Sequence, residues 1–139
     1  MKFAQLSLAE RVEVTRSVMF ILDGWGLGAA DQISVLALPA GTRTRALRRY
    51  REDTPLPDTD AVMERVDHIV GIYDALRTSY PHNPQMGTYY MQRPHRRFDD
   101  RAPLQAIVED GLDGLVAVRC HFDCAYDWHL DGLRGSASH

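Results

Sequence analysis

Residues 98–128, FDDRAPLQAIVEDGLDGLVAVRCHFDCAYDW, constrain the fold more than any other part of this chain. Pro103 suits the first turn of a short helix because proline has no N–H to lose there, and Gly111 suits a left-handed stop. A longer helix then runs from about Leu112 to Trp128. Its predicted core-facing stripe consists of Leu115, Val118, Phe122, Ala125 and Tyr126. A second, flatter face consists of small apolar residues, namely Val116, Ala117, Cys120 and Cys124, so either a deep core or a partner should cover it.

Capping residues and helix breakers divide the rest of the chain in the same way. Ser7 and Glu10 form a capping box for a helix that ends near Asp23. Further helices are predicted at about 29–37 and at 42–52, the second of which is capped by Thr42. A long helix capped by Asp58 or Thr59 is predicted to end near residue 79, and a short helix capped by Asn83 to span about 84–91. A loop rich in Pro, His and Arg follows at 93–101. Since no repeat or convincing β-alternation appears, the sequence predicts an all-α fold with about seven helices.

The second and third predicted helices, joined by the four residues Leu38-Pro39-Ala40-Gly41, resemble a helix-turn-helix. The third helix would dock through its apolar side and present cations to phosphate or guanine edges. Its possible DNA-binding residues are Arg43, Thr44, Arg45, Arg48 and Arg49. The alternative is an arginine-rich face that is merely solvated or that pairs with acids elsewhere.

The helix-breaking segment Pro55-Leu56-Pro57 suggests a boundary between two units. Residues 1–54 are predicted to form a helix-turn-helix-like N-terminal unit, and residues 55–132 a helical C-terminal domain. Residues 133–139 are predicted to be a flexible tail.

Charge is strongly segregated along the chain, although the formal net charge is only −3. Five arginines between Arg43 and Arg51 contribute +5, so the remainder carries −8. The stretch from Glu109 to Asp131 contains six acidic residues and one basic residue, Arg119. One part therefore suits an anion, and the other suits a cation-rich surface.

The sequence lacks the patterns expected of an enzyme, such as a nucleophile with its base, a phosphate loop or a metal cluster. Cys120 and Cys124 lie four residues apart on one predicted helix, which favours reduced, packed thiols over a useful disulfide or a zinc site. No run of about 18 apolar residues occurs. We therefore expect no catalysis, cofactor or metal, no membrane span and a cytoplasmic location.

The region from about residue 80 to 130 resembles the toxin-binding domain of the Xre/MbcA/ParS family of bacterial antitoxins. The matching residues are Arg93-Pro94-His95, Phe98, Arg101, Pro103-Leu104, Gly111-Leu112, Gly114-Leu115, Val118 and Trp128. The resemblance implies an antitoxin that neutralises a cognate RES-domain toxin, an enzyme that degrades NAD or transfers ADP-ribose from it. In that family the last helix and tail approach the toxin's NAD pocket.

Transferred to this chain, the resemblance predicts a toxin-binding set around the final helix. The set comprises Arg93, Phe98, Arg101, Leu115, Phe122, Asp123, Tyr126, Asp127, Trp128, His129 and Asp131. The acids would act as anion mimics, and Tyr126 and Trp128 as aromatic anchors, although Trp128 could instead cap the protein's own core. The expected assembly is a homodimer or a toxin–antitoxin hetero-oligomer. A promoter-binding autorepressor, which could coexist with that role, and a helical scaffold without enzymatic activity are the alternatives.

Overall fold

Helices account for the regular structure of the chain in the computed structural model, which describes residues 5–83 and 85–134, and of residues 124–134 only the backbone. The helices within these residues are α1 (Leu8–Gly24), α2 (Ala29–Val35), α3 (Leu47–Glu52), α4 (Asp60–Ser79), α5 (Gln85–Gln92), α6 (Pro103–Asp110) and α7 (Leu112–Arg134). Two 3₁₀ turns, Thr44–Ala46 and Arg96–Phe98, complete the described elements. The prediction of an all-α fold with about seven helices is confirmed.

Local caps start several helices where the sequence predicts them. Ser7 Oγ accepts a hydrogen bond from the Glu10 amide, and the Glu10 carboxylate accepts one from the Ser7 amide. Thr59 Oγ1 accepts from the Val62 amide at the start of α4. Gly111 ends α6 with φ 64° and ψ −129°. Its φ is positive, but a ψ of −129° lies far from that of a left-handed helical residue, so the left-handed helical conformation predicted for Gly111 is wrong.

The region between α2 and α3 differs from the prediction. The chain leaves α2 at Val35 and reaches the 3₁₀ turn only at Thr44. The Thr42 hydroxyl donates to the Pro39 carbonyl oxygen at 2.6 Å, so it closes the connecting turn and does not cap a helix. The prediction of a four-residue connection between the second and third helices is therefore wrong, and a helix-turn-helix is not confirmed.

One hydrophobic core joins the segments on either side of Pro55-Leu56-Pro57. Its buried residues include Met19 and Leu22 from α1, Leu47 from α3, Ile69 and Ile72 from α4, Ile107 from α6, and Leu115 and Val118 from α7. Leu56 itself is 2% exposed and belongs to this core. The central residue of the predicted boundary segment is thus part of the packed interior.

Two glycines allow α7 to approach its neighbours closely. A Cβ at Gly114 would collide with the carbonyl group of Ala106, so the backbones of α6 and α7 meet at this residue. A Cβ at Gly71 on α4 would collide with the guanidinium group of Arg119. Because Gly71 has no Cβ, the Arg119 side chain lies across α4 at this point. Its Nη1 is 3.1 Å from the Asp67 carboxylate and 3.2 Å from His68 Nδ1. These contacts place α7 against both α4 and α6.

Candidate functional site

The loop at 93–101 is folded back on itself beside α7. The His95 amide donates to the Arg101 carbonyl oxygen, and the Asp100 amide donates to the His95 carbonyl oxygen, each at 3.1 Å. Asp99 and Asp100 hold φ values of 58° and 62°, a left-handed conformation that aspartate tolerates better than most residues. Phe98 is buried in the core and anchors the loop. The loop is therefore a preformed structure.

Arg101 holds this loop against the end of α6. Its Nε donates to the Phe98 carbonyl oxygen at 2.9 Å, while Nη1 lies 3.0 Å from Glu109 and Nη2 lies 2.8 Å from Asp110. The hydrogen bond from Arg101 lowers the pKa of the Asp110 carboxyl below its usual range. Arg101 was predicted to bind a toxin, but its donors are engaged within the protein, where it positions the loop.

Two histidines meet where the loop contacts α7. The His95 and His121 ring centroids are 4.6 Å apart, and Phe98 and Phe122 lie within 5.4 Å of His121. Burial lowers the pKa of His121, and the nearby His95 and Arg97 charges lower it further. His121 therefore favours its neutral form near neutral pH.

A cavity of about 520 Å³ opens beside the histidine pair. Among its lining residues are Tyr90, Arg93, His95, Arg96, Asp100 and His121. The Arg93 guanidinium lies 5.6 Å from the centroid of the Tyr89 ring. In the described part of the chain neither Arg93 nor Arg96 forms an ion pair with an acid. The cavity thus offers two guanidinium groups whose charge is not neutralised by direct pairing.

The outward side of α7 exposes Asp113, Val116, Cys120 and Asp123, a set we call the α7 outer face. Val116 is 45% exposed. Cys120 is a free, exposed thiol, so the prediction that it is packed is wrong. The Asp123 carboxylate lies 3.9 Å from Arg119 Nε. Small apolar side chains are therefore left on the surface between acids.

Three residues of the predicted toxin-binding set belong to the core. Phe98 is 4% exposed, Leu115 0% and Phe122 7%, because they pack within the hydrophobic core. Side chains this deeply buried do not fit a direct contact with a partner. The role of these three residues is to support the surface. Arg93 and Asp123 are exposed. The side chains of Tyr126, Asp127, Trp128, His129 and Asp131 lie outside the described part of the structure.

The predicted C-terminal tail begins inside a helix. Residues 133 and 134, which the sequence assigned to the tail, belong to α7 in the described backbone. Residues 135–139 lie outside the described ranges.

The arginines near α3 separate into two groups. Arg48 pairs with Glu52 at 3.0 Å, and Arg51 binds both carboxylate oxygens of Asp23 at 2.9 Å, which lowers the pKa of that carboxyl. The other candidates for DNA contact are exposed, namely Arg43, Thr44, Arg45 and Arg49. Within the described residues Arg43, Arg45 and Arg49 have no acidic partner. Pairing with acids, the alternative drawn from the sequence, therefore applies to only part of this face.

One cluster that the sequence did not predict is formed by His95, Arg96, Arg97 and His121. The available signal was the His-Arg-Arg run before a buried aromatic residue. Among the side chains that the structure describes, those of residues 5–83 and 85–123, no group of three or more His, Cys, Asp or Glu is arranged to hold a metal ion. In the same residues no helix combines the length and the apolar character needed to cross a bilayer.

Comparison with known proteins shows a family relationship. The sequence is 30% identical to the uncharacterized protein y4oB of Sinorhizobium fredii (strain NBRC 101917 / NGR234) over 103 residues, which are 74% of this chain and 76% of the relative. The chain belongs to the same family as y4oB. No protein-family model matches the sequence.

Proposed function

We propose that this chain is a bacterial antitoxin that binds a cognate RES-type toxin in the cytoplasm and excludes NAD from its pocket. The observation that carries the proposal is the α7 outer face, where Val116 and Cys120 are exposed between Asp113 and Asp123. An apolar strip bordered by acids is complementary to a partner with a cationic rim. A pocket that binds a dinucleotide pyrophosphate is expected to have that character.

The acidic end of α7 is the proposed inhibitory element. The helix continues in its backbone from residue 124 to Arg134, and Asp127 and Asp131 follow Asp123 at helical spacing. In the proposed complex these carboxylates occupy the anion-binding part of the toxin pocket, and Tyr126 and Trp128 anchor the helix. The antitoxin acts sterically as part of a hetero-oligomer and performs no catalysis itself. A specific interface of this kind buries roughly 1,200 to 2,000 Å² in total.

Co-expression with the product of the neighbouring reading frame tests the proposal, with cellular NAD as the readout. The native chain should preserve NAD and growth. Deletion of residues 127–139 should leave a folded helical protein that no longer protects NAD, because the inhibitory end is gone. If the truncated chain protects NAD as well as the native chain, the proposed role of this end is wrong.

A substitution on the outer face tests the binding surface separately. Val116→Arg places a charge in the apolar strip and should abolish co-purification with the toxin. Leu8→Arg is the matched control, because Leu8 is 67% exposed on α1 and lies outside the proposed interface. Equal loss of binding in both variants, or in neither, would contradict the proposed surface.

Binding of the operon's own promoter is a second candidate function, favoured by three exposed arginines near α3 that have no acidic partner among the described residues. Arg43, Arg45 and Arg49 provide cations for phosphate contacts. This role is compatible with toxin binding, because these residues lie outside the α7 outer face.

A gel-shift titration over a range of salt concentrations tests DNA binding. Loss of one phosphate contact should reduce the slope of log affinity against log salt by roughly 0.9. The triple variant Arg43→Gln, Arg45→Gln, Arg49→Gln should therefore bind more weakly and with a shallower slope. Arg65→Gln on α4 is the control, and unchanged binding by the triple variant would exclude this face.

A further inference from the structure

The cavity beside the histidine pair combines cations with planar side chains. Arg93 and Arg96 line it, and Asp100 is the one acid among its described lining residues. Guanidinium groups form strong, often bidentate hydrogen bonds with phosphate oxygens. The charges of the cavity therefore select an anion.

Planar side chains line the same cavity. The Tyr90 ring stacks on the Tyr80 ring with a centroid separation of 5.0 Å and an interplanar angle of 19°, which restrains its position. His95 contributes a second ring. The volume of about 520 Å³ falls within the range of pockets for small organic molecules and exceeds what a bare ion needs. A flat ring attached to the anion would use these walls.

The local hydrogen bonds leave a donor available on the histidine pair. His95 Nδ1 accepts the hydrogen bond of the Arg97 amide at 3.1 Å. The proton of a neutral His95 ring therefore resides on Nε2, which remains able to donate to a ligand. Arg97 adds positive charge near His121 without lining the cavity.

We propose that this cavity binds a small phosphate monoester carrying a flat ring, of the size of a mononucleotide. Arg93 and Arg96 bind the phosphate oxygens, and the ring lies against Tyr90 and His95. This inference does not depend on toxin binding, since none of these side chains belongs to the α7 outer face, although Arg93 and Phe122 of the cavity were also predicted from the sequence to bind a toxin.

The electrostatics of His121 support the proposal. Besides its burial, the positive groups around it disfavour its protonated form, and a bound phosphate would oppose their effect. The pKa of His121 should therefore rise when the ligand binds. This change reports occupancy at the cavity, which a contact elsewhere on the surface would not produce.

The test is an NMR titration of the isolated full-length chain with adenosine 5′-monophosphate, inorganic phosphate and adenosine at constant ionic strength. The monophosphate should shift the His95 and His121 ring resonances saturably and raise the His121 pKa. Inorganic phosphate should bind more weakly, and adenosine more weakly still. Equal affinity for adenosine and the monophosphate would overturn phosphate recognition, and equal affinity for phosphate and the monophosphate would overturn the role of the ring.

Matched arginine variants locate the site. Arg96→Gln should weaken binding of the monophosphate about tenfold, because a charge-assisted contact is lost. Arg65→Gln removes the same charge from α4 and should leave the affinity unchanged. Absence of saturable shifts at millimolar ligand, or equal weakening by both variants, would overturn the proposal.

Discussion

The hydroxyl group of Thr15 lies 2.9 Å from the backbone nitrogen of Leu56 and accepts its hydrogen bond. The same hydroxyl donates to the Arg11 carbonyl oxygen at 2.8 Å. Thr15 is 0% exposed and Leu56 is 2% exposed, so water does not replace these bonds. This contact attaches the proline-rich segment to α1.

Replacement of Thr15 should show how much its hydrogen bond with the Leu56 amide stabilises the fold. Thr15→Val keeps the shape but leaves the Leu56 amide unsatisfied, which should lower the free energy of unfolding by about 1 to 3 kcal/mol. Urea denaturation measures the loss, and hydrogen exchange at the Leu56 amide should accelerate. Thr15→Ser keeps the acceptor and should keep that amide protected. Equal protection of the amide in both variants would contradict this role.

The contact between α6 and α7 predicts a strong effect at Gly114. Gly114→Ala should lower the free energy of unfolding by about 2 kcal/mol or more, because the added methyl group collides with the Ala106 carbonyl group. Gly24→Ala is the control, since a Cβ there meets no atom within 4 Å. That change should be neutral or slightly stabilising. Similar thermal midpoints for the two variants would show that α6 and α7 do not approach as closely as described.

The histidine pair predicts a pH dependence of stability. The pKa of His121 lies below its ordinary value of 6.5 because of burial and the His95 and Arg97 charges. As pH falls through that ordinary value, the unfolded chain binds a proton that the folded chain resists, so stability decreases. Arg93, Arg96 and Asp100, which line the adjoining cavity, are further charged groups beside the histidine pair.

Two single-histidine variants check this dependence. His121→Gln should make the free energy of unfolding depend less on pH between about pH 7 and pH 5, the range in which a histidine normally titrates. His95→Gln should raise the pKa of His121, measured by NMR, because a neighbour that disfavours protonated His121 is removed. His82→Gln changes an exposed histidine and should leave that pKa unaltered. An unchanged His121 pKa in the His95 variant would contradict the coupling.

Loss of Arg101 should loosen the loop at 93–101. In Arg101→Gln the bonds to Glu109 and Asp110 are lost, so the Asp110 pKa should rise toward its usual value. Hydrogen exchange at the Asp100 amide should accelerate, since the loop is no longer held against α6. Arg77→Gln breaks an exposed pair with Asp74 and is the control. Unaltered exchange in the Arg101 variant would show that the loop holds its shape without this residue.

The sequence was most informative where an interaction joins residues close in the chain. The cap formed by Ser7 and Glu10 spans three residues, and so does the bond from Val62 to Thr59. Such bonds depend only on the local backbone, and their side-chain types are recognisable. The region after α2 was predicted poorly, because Thr42 bonds backward to Pro39 and its residue type permits either arrangement.

The sequence by itself determined an all-α chain with α4, α6 and α7 near their observed positions, since caps, breakers and apolar spacing act locally. The tertiary structure decided where the loop at 93–101 packs. It added Phe98 to the core, where the sequence had already placed Leu115 and Phe122, and it brought His95 to His121. It also turned Arg101 inward to Asp110. These contacts arise from close packing of helices, which depends on the shapes of side chains distant in sequence and not on the local pattern of either partner.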